Sequence, residues 1–501
     1  MIDQYLASAR YAIILIMRFF QSKFLLVALL ALGLTACEDL ATFNENPNAP
    51  TIDQASPNLI LPKILYEVGN EMTADLGWGF SNIVSQLVAT NNFTSVDIYA
   101  WGTYSGTWDL MYRNARDAQN LIILGENLGN DNYVAIGMTM KAYIFSVLTD
   151  MYGDIPYSEA LQGKSDANFT PVYDNQQAIY TDLLDQLEQA SNLFDVTQSI
   201  DGDIMFSGDV VKWAKFTNSL RFRMIMRLEN KWSEMGLSST DLQAIVDKGV
   251  WMESNDDSAM LPYLSVGANR WPLHTSRIGS FEEKRMSQTI EAQLNATADP
   301  RLEVYFRPVA NPDSTGVYRG IPNGLSEDNA INFNGGPKNQ STLGTRFREE
   351  PDAVDMVFMH YSEFLFLLAE AAEKGYITGD AEAFYVEGIA ANMEYYGLAP
   401  DASFYDQEGV AMSMAGTSAD RLELIGTQKW LSLFMVGMEP YFDIRRTGIP
   451  ALTPGQDALF NEVPVRIQYP SSEQALNIDN YDAVVARQGA DEITTMMWLL
   501  Q

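Results

Sequence analysis

The chain of 501 residues holds one cysteine and two histidines. A single thiol forms no internal disulfide, so the fold must rest on its core, which 47% hydrophobic residues can supply. His274 and His360 stand in no HExxH setting, and there is no CxxC pair, no Gly-Lys-Ser/Thr phosphate loop and no GxGxxG run. Histidine-dependent nucleophilic chemistry is thereby nearly excluded by supply. Positive charge is scarce as well: 32 Lys and Arg face 65 Asp and Glu, a net of −33. That balance argues against nucleic acid and against charge-driven adhesion to anionic lipid. A two-carboxylate hydrolase needs no histidine, but with so many acids the availability of a pair carries no information.

The lone cysteine closes Leu34-Thr35-Ala36-Cys37. Before it runs the apolar stretch 24–33, preceded by Arg18 and Lys23. A basic start, a short apolar core and small residues at a cut describe a secretory signal; the core is well short of the roughly 20 residues of a membrane span. The tetrapeptide resembles a bacterial lipobox, in which Cys37 carries acyl chains and becomes the new N-terminus; the alternative is an ordinary signal whose mature chain begins near a cysteine. Met17 makes a better start than Met1, so residues 1–16 are set aside. Removing residues 1–36 takes away Arg10, Arg18, Lys23 and Asp3, leaving 29 basic and 64 acidic residues and a net of −35. No other stretch reads as long and apolar enough to span a bilayer.

Residues 37–56 read as a polar tether with Pro47 and Pro50. Helical periodicity follows. Pro57 to Thr90 reads as one long helix or a pair broken near Gly77 and Gly79, then Trp108–Leu124 and Tyr133–Tyr152 as helices. Asp174-Asn175-Gln176-Gln177 resembles a capping box for a helix ending at Leu193, and Ser207 is placed to cap the next. That helix carries Lys212, Lys215, Arg223 and Arg227, expected as a solvated face paired with acids. From Trp251 to Asp355 only Phe281–Ala296 is convincingly helical. Helices return at Met359–Lys374, Asp380–Tyr396 and Arg421–Met435, and beyond Pro450 the chain is expected to be irregular. The fold class is mainly α: stacked helix pairs, α-solenoid-like, with a large irregular, loop-rich insertion. Asp201, Asp203, Asp256 and Asp257 lack the spacing of a calcium loop and are expected as solvated loop acids, with no metal or cofactor.

What stands out chemically is aromatic. Phe93, Tyr99, Trp101 and Tyr104 crowd the segment 91–104, Trp271 lies in Asn269-Arg270-Trp271-Pro272-Leu273-His274, and Tyr318 precedes Arg319-Gly320. Rings flanked by Asn, Asp and Arg suit sugars and suit peptides equally; they also serve to pin loops onto a helical body. Tyr99, Trp101, Tyr104, Trp271 and Tyr318 are the candidate ligand residues.

Several motifs carry a family resemblance. They are the run from Lys141 to Tyr157 ending Asp150-Met151-Tyr152-Gly153-Asp154-Ile155-Pro156-Tyr157, then Asn218-Ser219-Leu220-Arg221, Asp299-Pro300-Arg301 and Tyr361-Ser362-Glu363-Phe364. Near the end come Gln428-Lys429-Trp430, Asp443-Ile444-Arg445-Arg446-Thr447-Gly448 and Tyr469-Pro470-Ser471-Ser472-Glu473. Together, over nearly the whole mature chain, they resemble the SusD/RagB family. The resemblance implies an outer-membrane lipoprotein of Bacteroidetes-type bacteria, with a tetratricopeptide-like scaffold and a less regular ligand side. It implies a SusC-like TonB-dependent barrel as partner, glycans or peptides as ligands, binding without catalysis, and display at the cell surface, which Glu38 and Asp39 after the lipidated cysteine fit. On this reading residues 57–501 form one domain: a scaffold over about 57–250 and 358–450, and a ligand side over about 251–357 and 451–501. Tyr152–Tyr157 is expected to end a helix at Gly153, and Asp443, Arg445 and Arg446 to form a buried ion network. The alternatives are a lipoprotein that binds only another protein and, more remotely, a two-carboxylate glycosidase or peptidase.

Overall fold

Twelve helices set the frame among the residues described by the computed structural model, which are Met17, 56–163, 166–276 and 280–501. Cys37, the signal and the tether lie outside them. The helices are α1 (Pro57–Asn70), α2 (Ser105–Leu128), α3 (Asp131–Tyr152), α4 (Gln176–Leu193), α5 (Val210–Arg227), α6 (Ser239–Lys248), α7 (Gln288–Ala296), α8 (Tyr361–Glu373), α9 (Ala381–Tyr395), α10 (Ser418–Ser432), α11 (Glu439–Thr447) and α12 (Ile478–Gln488). Shorter helical turns fill the connections. Residues 56–501 form one compact unit.

Consecutive helices pack as neighbours: α2 on α3, α3 on α4, α4 on α5, and separately α8 on α9 with α10 across both. Helix α5 meets α8 and joins the two groups. The α2 stripe buries Trp108, Met111, Ala115, Ala118 and Ile122 as its 3.6-residue period requires. Asn130 caps α3 by accepting from the Asn132 amide. At Gly137 the two helices approach so closely that a Cβ would lie 2.6 Å from Ile122 Cγ1.

Helix α3 corrects one expectation. It is long and apolar enough to cross a membrane by length and composition, but its apolar window is 89% buried inside the protein. It is the central core helix, buried along most of its length because neighbours cover it on nearly every side. Gly153 ends it at φ 86°, as the sequence suggests.

Elsewhere the local reading changes. Glycines 77 and 79 do not break a helix: α1 passes into a π-helical run, Glu71–Ser81. At Gly77 the fit is close, since a Cβ would lie 3.0 Å from Met72 O. The end of the expected helix is instead a strand. Asn175 alone caps α4, accepting from Ala178 N, and Asp209 rather than Ser207 caps α5. Phe281–Ala296 is not one helix, for a strand precedes α7. The C-terminal part is not wholly irregular, because α12 occupies 478–488.

The strands are short and pair antiparallel: β1 (Val88–Thr90), β2 (Ile155–Pro156), β3 (Tyr173–Asp174), β4 (Ala259–Pro262), β5 (Lys284–Met286) and β6 (Asp355–Met359). β1 pairs with β5, β2 with β3, and β4 with β6. The first pair matters most, since β1 leads straight into the aromatic segment.

The basic stripe of α5 divides. Lys215 does meet acids, Glu253 and Asp257. Arg223 and Arg227 are buried: Arg227 donates to Asp150 and Glu439, and Arg223 lies 3.2 Å from Glu363. The network expected around Asp443 exists, with Lys429 at 2.8 Å and Arg446 at 2.9 Å, and Arg446 also grips Glu370. Arg445 stands apart from it, donating to the carbonyls of Val465 and Asp150. The loop acids differ as well. Asp203 is buried and accepts from three backbone amides and Trp213 Nε1, and Asp257 is buried against Glu253 N and Lys215. Both are loop hubs, not solvated acids.

Candidate ligand site

The segment after β1 folds back on itself. Ile98 N donates to Thr94 O, Tyr99 N to Val96 O and Ala100 N to Ser95 O, closing residues 94–100 into a compact turn. Asp97 holds this turn from inside: Oδ2 accepts from Thr90 N at 2.9 Å, and Oδ1 from Asn323 Nδ2 and Gly324 N, each at 2.9 Å. No cation pairs with it among the described residues, and burial pushes its carboxyl up to about 6. The turn also meets the chain near residue 459, where Leu459 N donates to Ile98 O.

Three aromatic residues of this segment adopt left-handed backbone: Phe93 at φ 54°, Tyr99 at 66° and Tyr104 at 51°. Such a conformation costs an L-residue with a bulky side chain about 1–2 kcal/mol, so the loop stores strain in order to aim its rings.

Phe80, on the π-helical run, gathers Trp101, Tyr104 and Tyr441. Its centroid lies 4.9 Å from Trp101, 5.3 Å from Tyr104 and 5.3 Å from Tyr441, each edge to face. Tyr99 meets Trp101 at 5.8 Å. Tyr99 and Trp101 are buried, at 4% and 8% exposed, while Tyr104 is half-buried. Burial raises the phenols of Tyr99 and Tyr104 well above the ordinary value, and both stay protonated.

The other two candidate rings lie elsewhere. Trp271 is fully buried, 5.9 Å from Trp78 and 5.3 Å from Tyr263, with Nε1 donating to Phe347 O at 2.9 Å. It presents no open face. Tyr318 is half-buried on a different loop, where Ser341 N donates to Arg319 O. Among the described residues no ring contact joins either of them to Trp101 or Tyr104.

Beside the Phe80 cluster opens a cleft of about 380 Å³, lined by Val84, Ser85, Tyr441, Arg445, Leu452 and Val463 among others. Its size is within the range of small-ligand sites. Tyr441 belongs both to the cleft and to the cluster, and the Arg445 guanidinium lies 4.5 Å over its ring. Sequence reading missed Tyr441 and the cleft, because their neighbours arrive from positions 84 to 465; the one available signal was the crowding of Pro450 and Pro454 after α11. A flatter depression of about 470 Å³ over the start of α4 is lined by Asn175, Gln177, Ala178, Thr181, Asp182 and Asp185. No ring lines it. Among the described residues no group of three or more His, Cys, Asp or Glu is placed to hold a metal.

The geometry therefore offers a half-buried ring at Tyr104, a buried polar hub and a cleft. The sequence matches, over residues 47–470, the SusD-like family described as starch-binding and associating with the outer membrane. Among solved structures, an outer-membrane protein of Bacteroides vulgatus described as involved in nutrient binding is 28% identical, with a TM-score of 0.79 over 89% of this chain and 100% of that one. A SusD homologue from Bacteroides fragilis is 26% identical, also with a TM-score of 0.79 and the same coverage. A chitin-binding protein is 26% identical with a TM-score of 0.76, again over 89% and 100%. No curated protein matches the chain. With its helix pairs of tetratricopeptide type and a match over most of its length, the chain belongs to the SusD-like family of nutrient-binding proteins associated with the outer membrane.

Proposed function

We propose that the protein captures an oligosaccharide at the cell surface and passes it to a SusC-like TonB-dependent barrel, without turning it over. The observation that carries this is the strained aromatic segment at 91–104, held by a buried carboxylate and linked through Phe80 and Tyr441 to a cleft beyond it. A sugar face would lie on Tyr104, with Trp101 and Tyr99 in the buried cluster behind it. Tyr318 and Trp271 are farther candidates, Trp271 as a support only. The chitin-binding relative favours a glycan over a peptide as ligand. Lipidation at Cys37, with Glu38 and Asp39 following, would hold the body to the outer face of the membrane.

Calorimetry of the unlipidated chain from Glu38, against starch and chitin fragments and a peptide panel, tests this. Binding to a glycan that falls in Tyr104→Ala supports capture; binding to peptides alone moves the ligand class. A second reading, a lipoprotein whose body binds only another protein, is favoured by the burial of Tyr99, Trp101 and Trp271. It expects silence on both panels with a barrel co-purifying.

A further inference from the structure

The cleft beside Tyr441 suits a different chemistry from the aromatic segment. Tyr441 is the one ring among its lining residues, and it is buried, with the Arg445 guanidinium 4.5 Å over its ring and Phe80 at 5.3 Å. No open aromatic face is left there for a sugar. Val84, Leu452 and Val463 give apolar walls instead, and Leu452 and Val463 are only half-buried, around a space of about 380 Å³.

Arg445 is the one cation of that lining, and it is half-buried. Its Nη1 donates to Val465 O and its Nη2 to Asp150 O, both neutral carbonyls. These bonds use two of the five N–H groups of a guanidinium. The Asp150 carboxylate is committed elsewhere, to Arg227 and the Tyr180 hydroxyl. Arg446, the next residue, grips Glu370 and Asp443, whereas Arg445 pairs with no carboxylate among the described residues. Glu462 also lines the cleft, but it is exposed and forms no ion pair with Arg445. Burial holds the Arg445 guanidinium below its usual value, as expected of a cation short of counter-charge. A guanidinium with spare donors thus stands beside apolar walls. The net charge of −33 opposes an anion at long range, so the walls must supply part of the attraction, and an acid without an apolar body should not bind.

We propose that this cleft is a second binding site, which takes a carboxylate carried on an apolar body, the acid on Arg445 and the body between Val84, Leu452 and Val463. It does not depend on the carbohydrate reading. Calorimetry of the chain from Glu38 with octanoate, 3-phenylpropionate, 1-octanol and acetate provides the test, in wild type, Leu452→Trp and Arg445→Gln. Octanoate should bind wild type more tightly than 1-octanol by on the order of tenfold, and acetate should not bind. Comparison with 3-phenylpropionate tells whether the walls take a straight chain or a ring. Leu452→Trp, which fills the cleft from its rim, should lose octanoate at an unchanged melting temperature. Arg445→Gln should bind octanoate no better than 1-octanol. If 1-octanol binds wild type as tightly as octanoate does, Arg445 takes no part and the proposal is wrong. If Leu452→Trp keeps octanoate, the acid binds elsewhere and the proposal is equally wrong. If wild type binds neither acid, the second site fails while capture stands, because capture rests on the aromatic segment.

Discussion

The Asp97 carboxylate accepts a hydrogen bond from Asn323 Nδ2 at 2.9 Å, joining two loops that are 226 residues apart. Lys284 lies within electrostatic reach but is itself buried and held below its usual value, and Tyr99 is the other titratable neighbour. Because the folded carboxyl titrates at about 6 against 3.8 ordinarily, the folded state binds the proton more tightly than the unfolded chain. Its contribution to stability is full below about pH 4 and lost as pH rises through about 6, a swing of roughly 3 kcal/mol. We expect the stability of wild type relative to Asp97→Asn to increase on acidification across that window. Urea unfolding at stepped pH measures it, and a flat difference would mean that the carboxylate is not desolvated.

His360 works in the opposite direction. Burial, with Arg346 nearby, lowers its ring to about 3, and Tyr395 packs on it at 4.6 Å. The folded state excludes the proton, so stability is present above about pH 6.5 and lost as pH falls toward 3, by roughly 1.4 kcal/mol per unit. His360→Gln should show a shallower acid loss in the same titration.

Two arginines on α5 should respond very differently. Arg227→Met would leave Asp150 and Glu439 buried without their partner and should cost about 3–5 kcal/mol. Arg221 pairs with Glu188, which is 56% exposed, and Arg221→Met should cost under about 1 kcal/mol. Denaturant midpoints at unchanged slope decide the comparison.

Core and site should also separate among the aromatic residues. Trp271→Ala removes a fully buried ring and the partner of the Phe347 carbonyl, so about 3–5 kcal/mol of stability should go. Per folded molecule, its ligand affinity should stay near wild type. Tyr104→Ala, at a half-buried ring, should weaken binding at nearly constant melting temperature. Equal affinity losses in both variants would place Trp271 at the ligand.

The helices that sequence reading found are those whose period and stop agree, such as α2 with its stripe from Trp108 to Ile122 and α3 ending at Gly153. It missed α12, a short helix after an irregular stretch, whose spaced Ile478, Tyr481, Val484 and Val485 went unread and of which only Val484 is buried. Arg223 and Arg227 looked solvated because their partners, Asp150, Glu363 and Glu439, come from other helices. The aromatic density of 91–104 was legible, but which rings are open was not. That depends on Phe80, which turns toward Trp101 and Tyr104 from a π-helical run that no local pattern announces.

Helix α12 reaches back to the end of α3. Arg487 Nε donates to Asp154 Oδ2 at 2.7 Å, across 333 residues, and Gln488 Nε2 donates to Tyr152 O at 3.1 Å, across 336. A Cβ on Gly153 would lie 2.1 Å from Gln488 Oε1, so the fit at this junction is tight. Closing contacts this distant in sequence costs loop entropy. A variant without Arg487 and Gln488 would lack this clasp on the end of α3. The end of the central core helix is thus fixed by a segment remote from it in sequence.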